Sequence, residues 1–111
     1  MYDSVRSLLE LVQEAVSPWH TVQAVRKRLS KADFQPLKLG EKWQLESGKS
    51  YYVEAFGSTV LAFTIGCNGY TEANNLRIAA SHTDFPGLRI KPQASVIKDG
   101  YGVLNIESYG G

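Results

Sequence analysis

Cross-linking chemistry is nearly absent from this chain. Among 111 residues there is one cysteine, Cys67, so no internal disulfide can form. An excess of charge of one sign is missing too. Twelve Lys and Arg stand against 11 Asp and Glu, a net charge of +1. That balance argues against a strongly electrostatic partner such as duplex nucleic acid. No apolar run approaches the roughly 20 residues needed to span a bilayer. The apolar pattern of residues 1–16 is broken by Asp3, Glu10 and Glu14, unlike the apolar centre of a secretory signal. These absences predict a cytoplasmic protein with neither a nucleic-acid nor a membrane partner.

Several catalytic signatures are missing as well. There is no Walker or Rossmann phosphate loop: Gly66-x-x-Gly69 follows a strand-like run but lacks the rest of either pattern. There is no G-x-S-x-G around Ser81. Cys67 has no base nearby in sequence and reads as a loop or core thiol. Histidine is scarce, at His20 and His82.

What is present is ordinary globular material, 43% apolar and 21% charged, enough for one domain or part of one. Residues 3–15 predict an amphipathic helix, capped by Asp3, with Val5, Leu8, Leu9, Val12 and Val16 on a buried face. Ser17 and Pro18 suit the cap and first turn of a second helix. Trp19, Val22, Val25 and Leu29 form its apolar face, and Arg26, Lys27, Arg28 and Lys31 complement its C-terminal dipole. His20, in the first turn, fits either a contact near an active site or subunit boundary, or a histidine packed by Trp19 or exposed at a helix start.

From Phe34 the character changes. Residues 34–37 read as an extended link and 39–43 as a turn. Residues 49–56 and 59–66 predict a strand hairpin, the second strand apolar enough to be central. Cys67 to Asn75 reads as a loop, and Leu76 to Ser81 as a further strand. Gly87 to Lys91 and Val103 to Tyr109 predict two more strands, with a turn at Asp99-Gly100. Two helices followed by strands place the chain in the mixed α/β or α+β class. The stop at Tyr109-Gly110-Gly111, directly after a strand-like run, predicts a cut within a larger fold.

The chemistry concentrates at Ser81-His82-Thr83-Asp84, where an apolar run meets a Phe85-Pro86-Gly87 turn. Residues two apart on a strand share a face, so His82 and Asp84 are expected to meet. A carboxylate beside an imidazole fixes its tautomer, as a metal-bound histidine needs. His-x-Asp alone is short, and a hydrogen-bonded structural histidine fits it equally. A catalytic zinc takes at least three protein ligands. His20 lies on a distant helix, and Glu54, Glu72, Asp99 and Glu107 are not clustered in sequence. This stretch is therefore at most one corner of a metal site.

Four stretches together resemble the M18 metallopeptidases, the aspartyl aminopeptidase family, in the family's order. Ser17 to Val22 resembles its S-P-F/W-H-A/T-V helix start, and Glu41-Lys42-Trp43 its E-K-W turn. Ala80 to Lys91 resembles its A-S/H-H-T-D-S-P-x-L-R/K-L/V/I-K segment, and Glu107 to Gly111 its E-x-Y-G-G. Phe85 stands where the family often has Ser, a change that touches the turn rather than His82 or Asp84.

The resemblance implies two helices packed on part of a zinc-peptidase mixed sheet. Residues 1–92 would belong to the metallopeptidase domain, and 93–111 would begin an inserted assembly domain. It implies a zinc-dependent aminopeptidase with two divalent metal ions, peptide substrates, often acidic at the N-terminus, and a homo-oligomer, typically a dodecamer. His82 would be a metal ligand. Asp84 would join the catalytic site as the carboxylate that orients the His82 ring. The remaining ligands and the general base lie downstream of Tyr-Gly-Gly in the family, so this chain alone is expected to be inactive. The alternatives are a non-catalytic binding or assembly module with the same N-terminal fold, and an unrelated small α+β domain with a structural His82.

Overall fold

Local signals start the fold. In the computed structural model, which describes residues 2–67 and 76–110, helix α1 runs Asp3–Glu14 and α2 runs Pro18–Lys31. Ser17 is the N-cap of α2, its side chain accepting from the His20 backbone N–H, and Pro18 occupies the first turn. Asp3 does not cap α1. Tyr2 holds that position without a side-chain bond, and Asp3 is the first helical residue. A carboxylate there still complements the positive helix end.

The strands are β1 Gln35–Leu37, β2 Ser50–Ala55, β3 Thr59–Thr64, β4 Gly87–Lys98 and β5 Tyr101–Tyr109. The first three form one sheet in the order β1-β2-β3, with β1 parallel and β3 antiparallel to β2. The extended link at 34–37 is thus partly a strand, and among the described strands the apolar β3 lies at the edge, with β2 central. Apolarity reports that a strand is wanted in a core; it does not report which strand lies in the middle.

Both faces of β2 are covered. On one, α2 packs on the sheet, Ser30 Oγ lies 3.5 Å from Tyr52 Oη, and Arg26 pairs with Glu54 at 3.6 Å. On the other, Phe63 and Trp43 stack with centroids 6.1 Å apart, and the Glu46 backbone N–H donates to Tyr51 Oη at 2.9 Å. Tyr51, Tyr52 and Val53 are consequently buried, as are Val22 and Ala24 of α2. The α1 face is different. Val5, Leu8, Leu9, Val12 and Val16 are exposed, contrary to the expected burial. The amphipathic pattern is real, but among the described residues α1 packs chiefly on α2, on which Arg28 clasps Glu14 at 3.1 and 3.2 Å.

Strands β4 and β5 pair with each other as a separate antiparallel hairpin. Its two-residue turn has Asp99 and Gly100 at φ 52° and 82°, as a type I′ turn requires. The ladder breaks between the pairs Ile90–Ile106 and Ser95–Leu104, where residues 91–94 face Asn105 alone. Pro92 lacks an N–H for the ladder, and Gln93 takes φ 55°. Apart from Ala94, the hairpin strands are not buried. The radius of gyration is 19.6 Å, against about 13 Å for a compact chain of this length. The hairpin is not folded back onto the first sheet.

Leu76 to Ser81 is not a strand. Residues 76–85 carry no regular structure, and Leu76 and Ile78 are exposed. An apolar run becomes a strand only when a neighbouring strand supplies its hydrogen bonds, and none of the described strands pairs with it. Cys67 is an exposed turn residue; the rest of the expected loop, 68–75, lies outside the described residues. The mixed helix-and-sheet class stands.

Candidate functional site

Three distant pieces of chain meet at Thr83. Its hydroxyl donates to the Ser58 carbonyl at 2.9 Å, and its own carbonyl accepts from the Thr21 hydroxyl at 2.7 Å. Thr21 has one proton and also lies 3.0 Å from the Ser17 carbonyl; the shorter contact is the one to Thr83. Ser58 closes the β2–β3 turn, in which Gly57 takes φ 70°. A Cβ on Gly57 would stand 3.2 Å from Trp19 Cδ1. The start of α2, the β2–β3 turn and Thr83 are thereby held together without a strand at 76–81.

His82 and Asp84 flank this anchor. His82 Nδ1 and Asp84 Oδ1 are 3.2 Å apart, so the pair meets as expected, though across an irregular segment and not along a strand face. The His82 side chain is 90% exposed and that of Asp84 26%. Asp84 Oδ2 accepts from the Tyr109 hydroxyl at 2.6 Å. The Tyr109 hydrogen bond first, and the His82 contact second, hold the Asp84 carboxyl below the usual carboxylate range. The same bond pushes the Tyr109 phenol up. An ionised carboxylate only accepts, so the ring nitrogen facing it, Nδ1, carries the proton. In the neutral imidazole Nε2 then keeps its lone pair, on a side chain bordering an open pocket of about 300 Å³ lined by Ser58, Thr59, Val60, Ser81, Thr83 and Asp84.

That donor geometry fits one metal ligand with its orienting carboxylate. Among the described residues no three of His, Cys, Asp and Glu gather in one place. His20 is elsewhere: exposed, with Nδ1 2.7 Å from the Ser17 hydroxyl at the α2 cap. His82 and Asp84 thus fit at most one corner of a metal centre, which needs at least three protein ligands.

The model for the aminopeptidase I zinc metalloproteases (M18) matches residues 11–111. The chain belongs to the M18 family. The "Probable M18 family aminopeptidase 2" of Clostridium novyi is 38% identical over 105 residues, 94% of this chain and 24% of that protein. The aspartyl aminopeptidase of Aspergillus oryzae is 36% identical, over 93% of this chain and 21% of its own length. The cryo-EM structure of the Ape4 and Nbr1 complex matches with a TM-score of 0.81 and 35% identity, over 93% of this chain and 20% of the other. The chain therefore spans about a quarter or less of these M18 relatives. Zinc enters through the family description.

The sequence alone brings His82 and Asp84 together but gives Tyr109, Thr21 and Ser58 no part in the site. Two of these lie inside the stretches that carry the family resemblance, the Ser17 to Val22 helix start and Glu107 to Gly111. A polar residue embedded in such a stretch was the available signal. Ser58 offered none beyond its place in a turn.

Proposed function

We propose that this chain is the N-terminal part of a zinc-dependent aminopeptidase that removes N-terminal residues, acidic ones among them, from peptides. The observation that carries the reading is the His82–Asp84 contact, which engages Nδ1 of a histidine that lines an open pocket and leaves Nε2 for a metal. Membership of M18, whose model spans residues 11–111, supports it. His82 is the metal ligand contributed here. Asp84 orients its ring, and Thr83 ties both to α2 and the β2–β3 turn. When bound, two divalent ions supply Lewis-acid polarisation of the scissile carbonyl and an activated water. The other ligands and the general base come from outside these residues, so the chain by itself does not turn over substrate.

The finer expectations belong to this reading. Residues 1–92 are assigned to the peptidase domain and 93–111 to the start of an assembly domain; the ladder break between Ile90 and Ser95 falls at that boundary. The assembly is a homo-oligomer, a dodecamer, and the setting is cytoplasmic, with no membrane or nucleic-acid partner. No helix among the described residues is long and apolar enough to cross a membrane.

The test is His82→Ala in the full-length protein, with zinc stoichiometry and release of the N-terminal residue measured together. Loss of one bound zinc with loss of activity is expected. Retention of both would leave His82 a structural residue and sink the reading.

A further inference from the structure

The two oxygens of Asp84 are engaged from opposite directions. Oδ1 faces His82 Nδ1, and Oδ2 accepts from Tyr109. A carboxylate held at one oxygen can still turn about its last bond. Held at both, it has a set plane, and so does whatever it orients. Tyr109 arrives from the end of β5, in the second sheet. Two features fix it there. The Arg89 guanidinium carbon lies 3.3 Å from the centroid of the Tyr109 ring, a diagonal neighbour across the hairpin. Gly110 has φ 73°, and a Cβ there would stand 3.1 Å from Pro86 Cα and 3.2 Å from Pro86 N. The chain after Tyr109 thus passes against the turn that follows Asp84 at a distance that suits glycine.

We propose that Tyr109 is a positioning residue for the metal-binding imidazole. Through Asp84 it sets the plane and tautomer of His82, while Arg89 and Gly110 hold the phenol in place. The proposal rests on the reading of His82 as a zinc ligand. It makes the hairpin part of the site: the first sheet anchors Thr83, and the second orients the group beside it.

The experiment reads the ring nitrogens of His82 by 15N NMR in the full-length protein at about pH 8, where an ordinary imidazole is neutral. The Nδ1–H form is expected to dominate. Tyr109→Phe, which removes the hydroxyl alone, should shift the ring toward the Nε2–H form. Asp84→Ala should do so fully, and the double variant should match Asp84→Ala, because Tyr109 acts through Asp84. Zinc alone, titrated into the same samples and followed at His82, should bind about tenfold more weakly to Tyr109→Phe. Gly110→Ala keeps the phenol but disturbs its seat, and should move the tautomer the same way if Tyr109→Phe perturbs folding. An unshifted ring in Tyr109→Phe, or effects that simply add in the double variant, would overturn the proposal. His82→Ala separates the two ideas. If zinc binds it as well as the unsubstituted chain, the ligand reading fails. If zinc is lost there while Tyr109→Phe binds normally, only the positioning role fails.

Discussion

In the three-stranded sheet, Tyr51, Tyr52 and Val53 lie buried, with α2 on one face and the Trp43–Glu46 segment on the other. In the hairpin, Leu88, Ile90, Ile97, Leu104 and Ile106 stand open and Ala94 alone is buried. Both regions are rich in strand-forming apolar residues. The difference is cover. A strand offers a face, and only a second layer turns that face into core. The segment at Thr83 and Asp84 links the two regions: Thr83 bonds toward the first sheet and Asp84 toward the second. The candidate site sits on that link.

Core truncation should break this contrast most severely. Tyr51→Ala is expected to cost about 3–5 kcal/mol in urea unfolding, the range for losing a large buried ring. Leu104→Ala, at a half-exposed position, should stay within about 0.5 kcal/mol. Equal losses would mean that the hairpin is covered in solution.

A glycine pair sharpens the contrast at smaller scale. Gly57 and Gly100 both take positive φ, 70° and 82°. Either change to Ala should cost about 1 kcal/mol for the left-handed backbone. Gly57→Ala must also displace Trp19, whose Cδ1 stands 3.2 Å from the added carbon, whereas nothing lies within 4 Å at Gly100. Thermal melts should therefore rank Gly57→Ala as the more damaging. The reverse order would mean that the turn is not pressed against α2.

The smallest effect concerns acid. The hydrogen bond from Arg28 holds the Glu14 carboxyl below its ordinary value of 4.5. Its stabilising contribution is complete above that ordinary value, where both folded and unfolded forms are ionised. It fades as pH falls through the lower folded value, because the unfolded chain takes up the proton first. Glu14→Gln should flatten this part of the acid limb in stability measured against pH. The exposed setting keeps the effect slight, and salt should shrink it further. An unchanged acid limb would show that α1 is not tied to α2 by this pair.

Features set by near neighbours were legible in the sequence. Ser17-Pro18 marks the start of α2, and Asp99-Gly100 marks a hairpin turn, because cap and turn chemistry act within a few residues. The His82–Asp84 pair was legible for the same reason. Features set by distant partners were not. The run at Leu76 to Ser81 has strand composition and no pairing partner among the described strands. The face of α1 has the right period and stands exposed among the described residues. Tyr109 lies 25 residues from Asp84, and Thr21 lies 62 from Thr83. Nothing in local pattern announces that such hydroxyls will arrive.

The ladder break in β4 has a consequence for the sidedness of the hairpin. In an uninterrupted strand Leu88, Ile90, Val96 and Lys98 would share one side, with Ile97 on the other. The four residues set against Asn105 add an odd number, three, and reverse the phase. Past the break it is Ser95 and Ile97 that lie on the Leu88–Ile90 side, opposite Leu104 and Gly102, while Lys98 lies opposite Tyr101. The hairpin becomes a ribbon with Leu88, Ile90, Ile97, Leu104 and Ile106 on one surface and Arg89, Glu107 and Tyr109 on the reverse. A lapse of three residues keeps a lysine off the apolar side and leaves the other side to the site.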